Sequence, residues 1–105
     1  MALQINCTGL TTMDGGVVAP GAYVIFSAHF PFKGLTYDVQ ILIYRSHAAM
    51  VSGLAPIRIS KIKKNVFSKT LTQAQYAALT PVTITNDVKA FVESYVGAGN
   101  TSIVA

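Results

Sequence analysis

The segment GGVVAPGAYVIFSAHFPF, Gly15 to Phe32, runs for 18 residues without an Asp, Glu, Lys or Arg, and any fold of this chain has to cover it. It has the length of a membrane span. However, Gly15, Gly16, Pro20, Gly21 and Pro31 break it, and Ser27 and His29 interrupt its last third with polar atoms. Between Pro20-Gly21 and Pro31 lie about nine uninterrupted residues rich in β-branched and aromatic side chains, the length of a strand, and Pro31 stops ladder pairing beyond them. The sequence therefore predicts a strand over Ala22–Phe30, apolar on both faces and covered by protein rather than lipid.

The rest of the composition asks what does the covering. With 105 residues the chain has room for one domain, residues 1–105, and one modest core. Only 11% of its residues are charged against 51% apolar, under half the roughly 25% charge of an ordinary soluble domain. A small domain exposes much surface per unit volume, so a surface this poor in charge implies contact with other protein. MALQINCTGL has no basic region followed by an apolar core, so no signal peptide and no membrane insertion are expected. Cys7 is the one cysteine, cannot close an internal disulfide, and reads as a small apolar strand residue in a reducing compartment.

Periodicity fills in the elements. Leu3, Ile5 and Cys7 alternate with polar neighbours as a first strand over Ala2–Cys7, and Thr8–Gly16 reads as a loop turning at Asp14-Gly15-Gly16. Tyr37–Tyr44 places Tyr37, Val39, Ile41 and Ile43 on one side and Asp38, Gln40, Leu42 and Tyr44 on the other. Ser46 caps a short helical excursion over His47–Val51, with Gly53 as its left-handed stop and Pro56 restoring extension. Ile57–Phe67 is expected as a fourth strand whose parity breaks, because Ile57 and Ile59 share one face with Ile62 and Val66 only if a residue bulges near Ser60-Lys61. Thr72-x-x-Gln75 has the form of a capping box for a short helix ending before Pro81. A second helix opens at Thr85-Asn86-Asp87, carries an apolar stripe of Val88, Phe91, Val92, Tyr95 and Val96, and stops at Gly97. Thr101–Val104 reads as a last short strand. The expected fold is α+β: a small antiparallel β-sandwich or open barrel of four to five strands, with a helical excursion in one hairpin and a C-terminal amphipathic helix packed on the sheet.

Side chains able to do chemistry are few. Of four acids, Asp14 reads as a turn former, Asp87 as a charge in a helix's first turn and Glu93 as a solvated helix face. His29 and His47 have no Cys or carboxylate at metal spacing, Gly15-Gly16 lacks the lysine and helix of a phosphate loop, and Cys7 has no evident base. No catalytic, cofactor-binding or metal-binding residue is assigned, no cofactor is expected, and the chain is not read as an enzyme. The net charge of +4 is uneven: Arg58, Lys61, Lys63, Lys64 and Lys69 fall in a stretch with no acid. This basic contact strand would keep an edge soluble, meet an acidic protein surface, or neutralise nucleic-acid phosphates with Tyr37, Tyr44 and Phe67 as stacking faces.

IYRSHAAMVSGLAPIRI, followed by LTQAQYAAL and NDVKAFVESYV, resembles small structural proteins of tailed bacteriophages in its order of strand, helical excursion ending in Gly-x-x-Pro, return strand, capped helix and terminal amphipathic helix. The resemblance spans roughly Tyr37 to Val96 and carries over no functional residue. It implies a virion structural protein made in the host cytoplasm, forming a homo-oligomeric ring or tube in the neck, tail or baseplate. Its partners would be its own copies, other virion proteins, and DNA passing through a lumen without sequence specificity. The candidate subunit interface is Val17, Val18, Tyr23, Ile25, Phe30 and Phe32, six residues of the uncharged run. The alternative is a small nucleic-acid- or protein-binding β-domain using residues 57–69.

Overall fold

In chain order the elements are β1 (Ala2–Ile5), β2 (Leu10–Thr11), β3 (Val17–Val18), β4 (Ala22–His29), β5 (Thr36–Tyr44), α1 (His47–Val51), β6 (Val66–Thr70), α2 (Gln73–Ala77), α3 (Pro81–Val96) and β7 (Thr101–Val104). They come from a computed structural model that describes residues 2–30 and 34–104; Phe32, one of the expected interface residues, lies outside them. The fold is α+β. Five strands pair antiparallel in the order β6-β5-β4-β1-β7, with a separate β2-β3 ribbon, and the main sheet does not close into a barrel.

Register divides the sheet into two unlike faces. Val24, Phe26 and Ala28 of β4 stand opposite Ile43, Ile41 and Val39 of β5, and Leu3 and Ile5 of β1 continue the same face. These residues join Val88, Val92 and Val96 of α3, and Leu10 and Val18 of the ribbon, in one apolar cluster. The core face is thus covered by α3 over one part and by the ribbon over the rest. Phe91 adds a stacked contact to Phe67 at 4.7 Å and an edge contact to Tyr95 at 5.4 Å.

The helix signals act as their chemistry requires. Ser46 accepts the Ala49 N–H at 3.0 Å to open α1. Thr72 and Gln75 close both bonds of the capping box, at 3.2 and 3.0 Å. α3 starts a turn earlier than the sequence predicts, because Pro81 serves as its first residue and not only as a stop: Thr80 accepts the Thr83 N–H, and the missing proline N–H is one that a first turn leaves unpaired anyway. Gly97, at φ 100°, ends α3.

The expected strand over Ile57–Phe67 is two separate pairings joined by a detour. Ile57 bridges Ile43 of β5, and the Ile41 N–H donates to the Asn65 carbonyl just before β6 begins. Between these points the chain leaves the main sheet. Ile59 bridges Thr12, Met13 donates to the Arg58 carbonyl, and Ser60 donates to the Thr11 carbonyl, so residues 58–60 run beside β2 as a third member of the ribbon. A turn at Ser60-Lys61 then brings Ile62 back into the core. The parity break is therefore a change of partner, not a bulge. Ile59 and Ile62 are buried, while Val66 belongs to the opposite face and is 46% exposed.

Candidate functional site

Among the described residues, the face of the sheet turned away from α3 has no second layer of comparable size. Its residues are Ala2 and Gln4 from β1, Tyr23, Ile25, Ser27 and His29 from β4, the even-numbered positions of β5, Val66, Ser68 and Thr70 from β6, and Ser102 and Val104 from β7. Asp38 is the one charged side chain in this set, and it accepts a hydrogen bond from Ser68. Toward the α1 end the face is apolar: Ile25 lies directly across from Leu42, and Val66 lies diagonally beyond Leu42 on β6. Leu42 is 38% exposed in a position that most open sheets give to a polar residue.

α1 is the one helix of the described residues that reaches this face, and it covers only a margin. The His47 ring packs on Tyr23 with centroids 4.8 Å apart. Beside it Gln4, Pro20, Gly21, Ser46, Ala48 and Val104 complete a half-open cleft of about 500 Å³. The cleft holds no carboxylate and no Lys or Arg, and Ser46 is occupied with the α1 cap. Among the described residues no group of three His, Cys, Asp or Glu gathers at metal distance. Among the same residues no helix is long and apolar enough to cross a membrane.

The expected interface residues separate. Val18 is buried in the chain's own core, while its neighbour Val17 is 75% exposed, as adjacent residues of a strand must point oppositely. Tyr23 and Ile25 stand half-buried on the open face. Phe30 lies at the end of β4 and makes ring contacts with Tyr37 and Tyr76 at 5.9 and 6.2 Å. Leu42 and Val66 were not singled out in the sequence, yet they complete the apolar patch with Ile25; the alternation of β5 already marked Leu42 as the apolar member of its polar side.

The basic residues do not form one strand either. Lys69 sits on the core side of β6 and pairs with Asp87 of α3 at 2.8 Å. Arg58, Lys61, Lys63 and Lys64 are exposed on the detour between Ile57 and β6. Arg58 shares a shallow cleft of about 290 Å³ with Arg45, Thr12, Met13, Asp14, Pro56 and Ile57. Arg45 donates to the Val17 carbonyl at 3.1 Å, tying this cleft to the ribbon. The Thr12 hydroxyl bonds Asp14 and holds its carboxyl below the usual carboxylate range. The stacking faces suggested by the sequence are not available together: Tyr37 is buried, Phe67 lies against Phe91, and Tyr44 is on the opposite face.

Two acids have structural work that the sequence did not suggest. Asp87 lies beyond the first turn of α3 and accepts from both Lys69 and the buried Tyr37 hydroxyl. Burial first, and this bond second, push the Tyr37 pKa well above that of an ordinary tyrosine. Glu93 is not a solvated face. One of its oxygens accepts from Lys89 at 3.0 Å, the Gly99 N–H at 3.0 Å and the Thr101 hydroxyl at 2.9 Å, clipping the turn after α3 to β7. The Lys89 bond leads in holding its carboxyl below the usual range. Comparisons with known protein families, with curated proteins and with solved structures give no match to this chain.

Proposed function

We propose that this chain is a structural subunit that assembles with copies of itself, and that its assembly is a ring or tube in the neck, tail or baseplate of a tailed-bacteriophage virion. The observation that carries self-assembly is the open sheet face, apolar at Ile25, Leu42 and Val66 and, among the described residues, charged only at Asp38. A solvated sheet face ordinarily alternates polar residues outward and spaces charges across the surface. A face lacking that charge keeps its apolar row out of water only by packing against another surface, and the next copy in a ring supplies a different surface of the same chain to cover it.

The two edges favour a closed ring over a simple pair. β6 and β7 are the outer strands of the sheet and are unlike each other. β7 has the sequence Thr101-Ser102-Ile103-Val104, with neither charge nor proline to deter pairing, and Ile103 is exposed. A contact joining unlike surfaces of successive copies propagates head to tail and closes when the rotation between copies permits. The virion setting rests on the resemblance of Tyr37 to Val96 to phage structural proteins.

Sedimentation of the parent and of Leu42→Asp tests the reading. The parent should sediment as a multiple of its 11.2 kDa chain, and Leu42→Asp as a folded single chain. A parent that stays at 11.2 kDa at every concentration, or a Leu42→Asp variant that assembles like the parent, would refute it.

A further inference from the structure

We infer that the detour between Ile57 and β6 is a binding surface for the phosphate backbone of double-stranded nucleic acid, read without regard to sequence. The first ground is where the charge lies. Of the four acids, Asp87 and Glu93 pair with Lys69 and Lys89, and Asp38 stands on the open sheet face. What remains of the net +4 is concentrated in one short segment, where Arg58, Lys61, Lys63 and Lys64 are exposed and Arg58 shares a cleft with Arg45 and Asp14. Such a cluster attracts polyanions and releases their condensed counterions on contact.

The second ground is how the segment is held. A solubilising tail would be loose, but this segment is fixed at both ends and in the middle. Ile57 bridges β5 and Asn65 accepts from Ile41. Ile59 and Ile62 are buried anchors on either side of Lys61, and Ser60 bonds Thr11 through both its N–H and its hydroxyl. The lysines are thus presented from an ordered platform, which lowers the entropy lost on binding. They are also point charges on flexible stems, suited to a row of phosphates rather than to one bidentate group.

The class of partner follows from what surrounds the charges. With Tyr37 buried and Phe67 stacked on Phe91, two of the three rings near this segment in the sequence are not free to take an unpaired base, so the surface suits a duplex backbone better than a splayed single strand.

Fluorescence anisotropy of the full chain with two labelled duplexes of unrelated sequence tests this. With about four phosphates neutralised, log K should fall against log salt with a slope of about −3.6, close to a hundredfold loss between about 50 and 200 mM. The two duplexes should bind alike. Lys61→Glu/Lys63→Glu/Lys64→Glu should weaken binding at least about tenfold at low salt, and the corresponding Gln variant should lower the slope by about three contacts' worth, with parental circular dichroism in both. The inference is overturned by absence of duplex binding at low salt, by a Gln variant with the parental slope, or by a polyglutamate chain that binds more tightly than the duplex, which would assign the surface to an acidic protein.

Discussion

Replacing Asp87 with Ala should destabilise the fold far more than its partly exposed ion pair suggests. The Asp87–Lys69 pair joins side chains that are 19% and 42% exposed, and contacts of that kind contribute about 0–1 kcal/mol. The Tyr37 hydroxyl decides the outcome. Tyr37 is fully buried and donates to Asp87, so removing the carboxylate leaves a buried donor without its acceptor, at about 1–3 kcal/mol. Together the losses come to about 1–4 kcal/mol, a large part of the stability of a domain this size. Asp87→Asn keeps an acceptor and should cost about 1 kcal/mol, and Lys69→Ala less than that. Urea unfolding followed by circular dichroism measures all three, and a cycle with Tyr37→Phe separates the hydroxyl: the double variant should lose less than the sum of the single ones. Alkaline pH gives an independent reading. Because the Tyr37 pKa is raised in the fold, the native state keeps a proton that the unfolded chain releases above about 10, so its contribution is complete below that pH and declines as pH rises further. An Asp87→Ala variant within about 0.5 kcal/mol of the parent, or a cycle that is strictly additive, would refute this account of how α3 is locked to β5.

Two further outcomes follow from the packing. Val18→Asp should unfold the chain, since it buries a charge in the core, while Val17→Asp one position away should change stability by less than about 0.5 kcal/mol, as read by thermal melts. Glu93→Ala should speed amide exchange in β7 while sparing β4; and since the Glu93 carboxyl is held below its ordinary value of 4.5, its contribution is present above that pH and lost as pH falls through the folded value, which an acid titration of the parent and variant would compare.

How far the sequence reveals this fold depends on the range of the interactions involved. Alternation in Tyr37–Tyr44 assigns both faces of β5 correctly, and the stripe of Val88, Val92 and Val96 marks the buried side of α3, because each pattern repeats over several residues of one element. Caps at Ser46 and Thr72 are equally visible, since each acts within three residues. The parity break at Ser60-Lys61 is visible too, but a bulge and a change of partner leave the same trace. What selects between them is the pairing of Ile59 with Thr12, 47 residues earlier in the chain, on a ribbon whose strands are only two residues long and show no period of their own. Pro81 has two local meanings, as a stop for α2 and a start for α3, and the Thr80 cap fixes the second. Surface function is less legible. Alternation shows that Leu42 points away from the core, yet nothing in one chain's pattern says whether another layer meets it. Likewise the basic stretch is plain in the sequence, but its separation into Lys69, spent on Asp87, and the exposed lysines of the detour depends on tertiary contacts.

Electron microscopy of the purified protein at high concentration tests the central claim of self-assembly most directly. Particles should appear as closed rings or stacked tubes, and should vanish when Leu42→Asp places a charge on the open sheet face. Fields of single chains at every concentration, or rings unchanged in the Leu42→Asp variant, would contradict the proposal that this face joins one copy to the next.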